Sequence, residues 1–175
     1  MRRLAVPLCA LAFLLHACGE NPELLGGDDS EAGAALDAQA IAAGILPDPE
    51  KTAFAGQYET RSDLGTDKFC AVKNGTNSYD VGFLAVFGPQ SECEAKGQAT
   101  VEGEAVKIRL SGAGLCNFTA RYDGIELRFP GVVEEGCALY CSERASVSGT
   151  HYFMVESGDS AARKTLGRNI ERLCE

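Results

Sequence analysis

The stretch Phe118–Phe129, with the sequence FTARYDGIELRF, decides the fold because apolar and polar residues alternate on both sides of a central Asp-Gly pair. Neighbouring side chains of a β-strand point to opposite faces, so this alternation predicts one buried and one solvated face. An Asp-Gly pair between two such runs is a strong signal for a two-residue hairpin turn. The predicted register sets Tyr122 opposite Ile125, and it sets Arg121 opposite Glu126 on the solvated face.

A second hairpin is predicted directly upstream. Gly103-Glu104 has glycine in the first turn position, which suits a type II′ turn and sets Val101 opposite Val106. About eight short antiparallel strands favour a small closed β-barrel, because closure removes exposed sheet edges, and a two-sheet sandwich is the alternative. The further predicted strands cover residues 56–61, 69–73, 79–87 and 147–155.

The C-terminal segment has a different period. Four apolar residues lie at helical spacing after Asp159 or Ser160, either of which suits a helix N-cap. They are Ala162, Leu166, Ile170 and Leu173. The pattern predicts an α-helix over residues 159–173. The predicted fold class is therefore mainly β, a small disulfide-bridged antiparallel β-barrel or sandwich with a C-terminal α-helix.

The first residues are typical of a secretory signal. Arg2 and Arg3 precede an apolar run, Leu4–Leu15, and a small residue, Ala17, stands just before Cys18. The run is too short for a transmembrane anchor, which needs about 20 apolar residues. We predict that residues 1–17 are a signal peptide.

The sequence Leu15-His16-Ala17-Cys18 resembles the lipobox of bacterial lipoproteins. The resemblance implies that Cys18 becomes the first mature residue and carries a lipid, so that the membrane is one partner of the protein. In this class an Asp after the cysteine signals retention in the inner membrane, and Gly19 stands there instead. The expected location is the bacterial cell envelope, anchored by lipid to the outer membrane.

Charge divides the mature chain. Residues 19–50 hold eight of the 25 acidic residues and no Lys or Arg, whereas residues 51–175 hold the remaining 17 acids and 14 bases. We interpret residues 18–53 as an acidic, unstructured tether, with a short helix within residues 30–43 as the alternative, and residues 54–175 as the β-domain. Neither part has the basic character of a nucleic-acid-binding protein.

Six cysteines remain after Cys9 and Cys18 are set aside. An even number in a small exported domain implies disulfides, and six cysteines allow 15 connectivities. Our working pairing joins Cys70 to Cys93. The six are Cys70, Cys93, Cys116, Cys137, Cys141 and Cys174, of which Cys137 and Cys141 would share Cys116 and Cys174.

Zinc is the alternative use of the Cys137–Cys141 spacing. The chain has no second closely spaced cysteine pair, and its mature part has only one histidine, His151. Ser146, Ser148 and Asp159 are near His151 in sequence, but proximity alone supplies no catalytic triad. We therefore predict no metal, no cofactor and no enzymatic activity.

The stretch from Ser146 to Tyr152, SVSGTHY, is similar to the Ser-x-Ser-Gly-x-x-Tyr motif of the MliC/PliC c-type lysozyme inhibitors. Those proteins are small periplasmic or lipid-anchored barrels. The resemblance implies that Ser148, followed by Gly149, lies on a loop that enters the lysozyme cleft. Ser157 stands where the family has a lysine, and the chain lacks the family's tryptophan.

Together these features predict a non-enzymatic binding or envelope-protection lipoprotein whose partner is an envelope protein or a small ligand. An inhibitor of lysozyme or another hydrolase is one alternative, and a carrier of hydrophobic ligands is the other. A large apolar barrel interior would favour a carrier, whereas a filled interior with a protruding Ser148 loop would favour an inhibitor.

Overall fold

A computed structural model describes residues 31–46, 48, 53–169 and 171–175. The predicted signal peptide and the lipidation site Cys18 lie outside the described residues. The chain divides into two compact units, Met1–Ile45 and Leu46–Glu175. Within the described part, no helix is long and apolar enough to cross a membrane.

The first unit contains helix α1, Glu31–Ala42. Half of its twelve residues are alanine, the residue with the highest helix propensity. The interpretation of this segment as unstructured was therefore wrong, and the alternative of a short helix is correct. Its apolar residues do not gather on one face.

The second unit is a closed antiparallel barrel in which each strand pairs with the next and β8 pairs with β1. Closure confirms the predicted barrel over the sandwich and leaves the barrel strands without a free edge. The strands are β1 Gly56–Ser62, β2 Gly65–Lys73, β3 Ser78–Gly88, β4 Ser91–Glu102, β5 Ala105–Ser111, β6 Cys116–Tyr122, β7 Glu126–Arg128 and β8 His151–Ser157.

One of the two predicted hairpin registers is confirmed and the other is wrong. Val101 pairs with Val106 across the Gly103-Glu104 turn, as predicted. The register around Asp123 was wrong, because Tyr122 pairs with Leu127 instead of Ile125. The Asp123 carboxylate accepts the backbone N–H groups of Ile125 and Glu126 at 2.9 and 2.7 Å, which lengthens the turn by two residues.

A shift of two residues preserves the buried face, since side chains alternate with a period of two. Leu127 and Phe129 therefore remain in the core, while Ile125 lies in the turn with 49% of its surface exposed.

Aromatic side chains fill the barrel interior. Phe69, Phe83, Phe129 and Tyr152 are each no more than 2% exposed. Phe129 lies at the centre of this cluster, with its ring centroid 5.5 Å from that of Phe83 and 5.3 Å from that of Tyr152. The axis of the barrel is thus occupied by the protein's own side chains.

The predicted C-terminal helix was wrong in length, because helix α2 spans only Asp159–Ala162. The chain then folds back on itself, and the Leu173 amide donates to the Thr165 carbonyl at 3.0 Å. Leu173 is buried against Gly82 on the outer face of β3, where a Cβ would collide with the Leu173 backbone. A straight helix cannot make this contact, so burial of the tail overrides helical spacing.

All six domain cysteines form disulfides, as predicted, but the working pair Cys70–Cys93 was wrong. Cys137 takes one of its two predicted partners, whereas Cys141 takes neither. Cys70 belongs to the small cluster beneath the C-terminal tail outside the barrel, whereas Cys93 belongs to the core inside it. The observed bridges are Cys70–Cys174, Cys93–Cys141 and Cys116–Cys137.

Candidate functional site

The barrel has two different ends because the connections of an antiparallel meander alternate between them. One end carries the connections at residues 63–64, 89–90, 112–115 and 129–150. The last of these is the longest, and we call residues 129–150 the cap. At the opposite end, the entry end, the chain enters β1 through Phe54.

Phe54 plugs the entry end. It is 2% exposed, and its ring centroid lies 5.1 Å from those of both Tyr79 and Tyr122 in edge-on geometry. The Tyr58 hydroxyl donates to the Phe54 carbonyl at 2.6 Å. Burial of these phenols raises the pKa of Tyr58 and raises that of Tyr122 to about 12.

Two disulfides fasten the cap to the barrel. The cap contains a 3-10 helix, Glu135–Tyr140, which Cys116–Cys137 ties to the start of β6. Cys141 follows the helix and bridges to Cys93 in β4. Two covalent links this close together hold the short helix in one position.

Hydrogen bonds also join the cap to the neighbouring parts of the barrel. The Tyr140 hydroxyl donates to the Gly114 carbonyl at 2.6 Å and accepts the Gly114 amide at 3.2 Å. The Ser142 amide donates to the Glu92 carbonyl at 2.8 Å. The cap is therefore pre-organised by covalent and hydrogen bonds together.

Large apolar side chains are exposed at the cap end. Leu115, Val132 and Leu139 are 84%, 86% and 62% exposed. The Leu139 side chain packs against Gly114, where a Cβ added to the glycine would lie 2.5 Å from the Leu139 Cδ1 atom. Leu139 also lines an open cleft of about 530 Å³. Exposed apolar side chains on a rigid support are typical of a protein interaction surface.

The predicted partner-binding loop is divided by the structure. Ser146 and Gly149 are exposed in the cap and Ser148 is half-buried. Gly149 has a φ of 72°, which favours glycine, and its amide donates to the Pro130 carbonyl at 2.9 Å. Tyr152 instead lies on β8 and is fully buried in the core, so it does not belong to the loop surface.

A polar group lies inside the barrel beneath the cap. The Asp67 carboxylate accepts the Val86 amide at 2.7 Å, and burial raises its pKa, while the Val86 amide and His151 oppose the rise. Burial also raises the pKa of the enclosed Tyr152 phenol. An ordinary phenol is already neutral near pH 7, and burial extends the neutral range of Tyr152 further into alkaline pH.

The structure does not assemble a hydrolytic triad from the residues near His151. Among the described residues, no hydrogen bond joins the His151 imidazole to a serine hydroxyl. Asp159 lies near the entry end, where its carboxylate accepts the Lys73 amide at 2.9 Å. The described part of the chain also contains no group of three or more His, Cys, Asp or Glu residues able to hold a metal.

Sequence reasoning missed a polar face on the outside of β3, β4, β5 and β6. Residues 106–110 alternate between apolar and polar, which is typical of a strand with Lys107 and Arg109 on its solvated face, but only strand register shows which residues surround them. Thr100 and Thr119 flank Lys107. Gln98 and Asn117 flank Arg109 in the same way.

We found no protein-family model that matches this chain, no similar curated protein and no similar solved structure.

Proposed function

We propose that this chain is an exported, lipid-anchored and non-enzymatic binding protein of the bacterial cell envelope, and that it holds its partner at the cap end. The signal sequence and Cys18 support the location. The observation that carries the binding role is the exposure of Leu115, Val132 and Leu139, which lie in or beside a cap that two disulfides fasten to the barrel.

A rigid binding surface loses less conformational entropy on association than a mobile one, so pre-organisation favours affinity. The charge of the cap suggests the partner's chemistry. Its titratable residues outside the disulfides include the exposed acids Glu134, Glu135 and Glu143 and one exposed base, Arg144. The partner that fits this surface is a protein with an apolar centre and a basic rim.

The carrier alternative requires room for a hydrophobic ligand along the barrel axis. The rings of Phe69, Phe129 and Tyr152 pack against one another there. This packing weighs against a carrier and favours recognition on the outer surface.

Lysozyme inhibition is the second candidate, because the Ser146–Gly149 part of the similar motif lies in the cap. The test is inhibition of a c-type lysozyme by the purified full-length protein. If Ser148 enters the enzyme cleft, Ser148→Trp should abolish inhibition by steric block. The missing lysine and tryptophan lead us to expect weak inhibition or none, and an inhibition constant below about 1 μM, equivalent to about 8 kcal/mol, would contradict this expectation.

Binding at the cap end can be tested in living cells with a photo-crosslinking side chain. We expect a crosslinked envelope protein when the probe replaces Leu139 and none when it replaces Ile125, which is exposed at the opposite end. Leu139→Asp should release that protein, whereas Ile125→Asp should retain it. Equal crosslinking at both positions would contradict the proposal.

Lipid anchoring has a separate test. Cys18→Ser should move the protein from the membrane fraction to the soluble fraction, because a serine cannot carry the thioether-linked lipid of this class. Membrane partitioning that does not change, together with no incorporation of labelled fatty acid in the parent protein, would contradict the lipid anchor while leaving cap binding open to its own test.

A further inference from the structure

The outer surface of β3–β6 presents two rows of polar side chains. Strand register brings the members of each row side by side, and adjacent strands are about 4.8 Å apart, so each four-residue row extends about 14 Å. The first row is Ser78, Thr100, Lys107 and Thr119, and the second is Asp80, Gln98, Arg109 and Asn117.

All members of these rows except the acidic Asp80, at the end of the second row, line an open cleft on the side of the barrel. The cleft has a volume of about 730 Å³, and its polar lining combines hydroxyl groups, amide groups and cations. Its floor is the closed sheet, in which Ile108 and Phe118 point inward. The polar lining residues are Ser78, Gln98, Thr100, Lys107, Arg109, Asn117 and Thr119.

The charged residues that line this cleft are both cationic, although the whole chain has a net charge of −9. Lys107 forms an ion pair with Glu102, which lies outside the cleft lining, at 2.7 Å. The Arg109 guanidinium is exposed and has no ion-pair partner among the described residues. Its planar donors are suited to bidentate binding of a carboxylate.

The closed barrel restricts what the cleft can recognise. An extended peptide often binds by adding a strand to a free sheet edge, and the eight-stranded barrel offers no such edge. Recognition on this face must use side chains alone. Hydroxyl and amide side chains beside two cations match a ligand that carries many hydroxyl groups and some carboxylates.

We propose that this polar face binds an acidic glycan, a sugar polymer whose carboxylates pair with Arg109 and Lys107 and whose hydroxyl groups hydrogen-bond to Gln98, Thr100 and Asn117. The cleft on this face shares Leu115 with the exposed apolar residues of the cap end but does not include Leu139, so variants of Leu139 test cap binding separately.

The test measures binding of the full-length protein to polygalacturonate, a polymer with both carboxylates and hydroxyl groups. Two further polymers separate the contributions. Methyl-esterified polygalacturonate keeps the hydroxyl groups but loses the charge, and poly-L-glutamate keeps the charge but lacks the hydroxyl groups. We expect binding to polygalacturonate, weakened by salt, and much weaker binding to the other two polymers.

Variants locate the site. Lys107→Gln and Arg109→Gln should each weaken polygalacturonate binding about tenfold, the effect of losing a charge-assisted contact. Lys164→Gln removes the same charge from an exposed lysine near helix α2 and should leave binding unchanged. Circular dichroism should show that all three variants are folded, because each side chain points to solvent.

Several results would overturn the proposal. Poly-L-glutamate binding as tightly as polygalacturonate would show that charge alone is recognised, and binding of the esterified polymer would show that charge is not needed. Equal loss in Lys164→Gln would indicate a non-specific effect, and absence of polygalacturonate binding would refute the glycan assignment. Leu139→Asp leaves this face intact. Its effect on partner binding at the cap is therefore measured separately from polygalacturonate binding on the polar face.

Discussion

The two ends of the barrel are closed by different chemistry. At the entry end, Phe54 inserts among core rings, and the neighbouring turns are short. At the cap end, residues 129–150 lie across the opening and are held by Cys93–Cys141 and Cys116–Cys137. A plug of apolar rings is continuous with the core, whereas a covalently fastened cap can expose apolar side chains and keep its shape. This difference is why we propose that a partner binds at the cap end.

The largest effect is expected when the plug is removed. Phe54→Ala should lower the free energy of unfolding by about 3–5 kcal/mol, because it deletes a buried ring and leaves a cavity. Urea unfolding measures the change. Phe153→Ala removes the same side chain from an outer, 42% exposed position and should cost much less. Similar losses in the two variants would mean that Phe54 is not integral to the core.

Removal of a cap disulfide should have a smaller and more local effect. The paired substitution Cys93→Ala and Cys141→Ala opens a loop with a sequence separation of 48 residues and should cost about 2–4 kcal/mol. Hydrogen exchange should accelerate in residues 129–150 before it does in β1 and β2, because the lost bridge holds the cap itself. The second cap disulfide remains and keeps the cap attached to the barrel. If exchange accelerates equally at both ends, the cap is not an independent unit.

The contact between the cap helix and the β5–β6 connection can be broken without touching a disulfide. Gly136→Ala would drive a Cβ into the Leu115 carbonyl and should cost about 1–3 kcal/mol through overpacking. Gly131→Ala is the matched control in the same cap, because its Cβ would meet open space. Thermal unfolding of both variants tests the contact, and equal melting temperatures would contradict it.

The smallest effect concerns the phenols at the entry end. The Tyr122 hydroxyl donates to the Gly124 carbonyl at 2.9 Å, so Tyr122→Phe should cost about 1 kcal/mol near neutral pH.

The pH dependence of the same variant gives a second measurement. Burial raises the pKa of Tyr122 to about 12, so the folded protein retains a proton that the unfolded chain loses near pH 10. Stability therefore falls as pH rises from about 10 to about 12. Tyr122→Phe should lessen this alkaline loss in urea unfolding, and an unchanged pH dependence would show that Tyr122 does not cause it.

The candidate site shows where prediction from sequence succeeds and where it stops. The resemblance placed Ser146, Ser148, Gly149 and Tyr152 together, and three of them do lie in the cap. Tyr152 is buried in the core because it follows the start of β8, whose alternation turns it inward. The exposure of Leu115, Val132 and Leu139 gave no signal in sequence, since an isolated apolar residue in a loop resembles one in a core.

The sequence by itself determined most of the strands and their buried face, because side-chain alternation is a local property of the extended backbone. Closure into a barrel instead of a sandwich was decided by the tertiary structure, in which β8 pairs with β1. The sequence also predicted that the domain cysteines are paired, through their even number in a chain that begins with a predicted export signal. Only the tertiary structure decided that Cys70 reaches Cys174, since these residues meet after the tail folds back across Gly82. It alone also assembled the polar face, because the neighbours of Arg109 are set by hydrogen-bond register between strands that are separate in sequence.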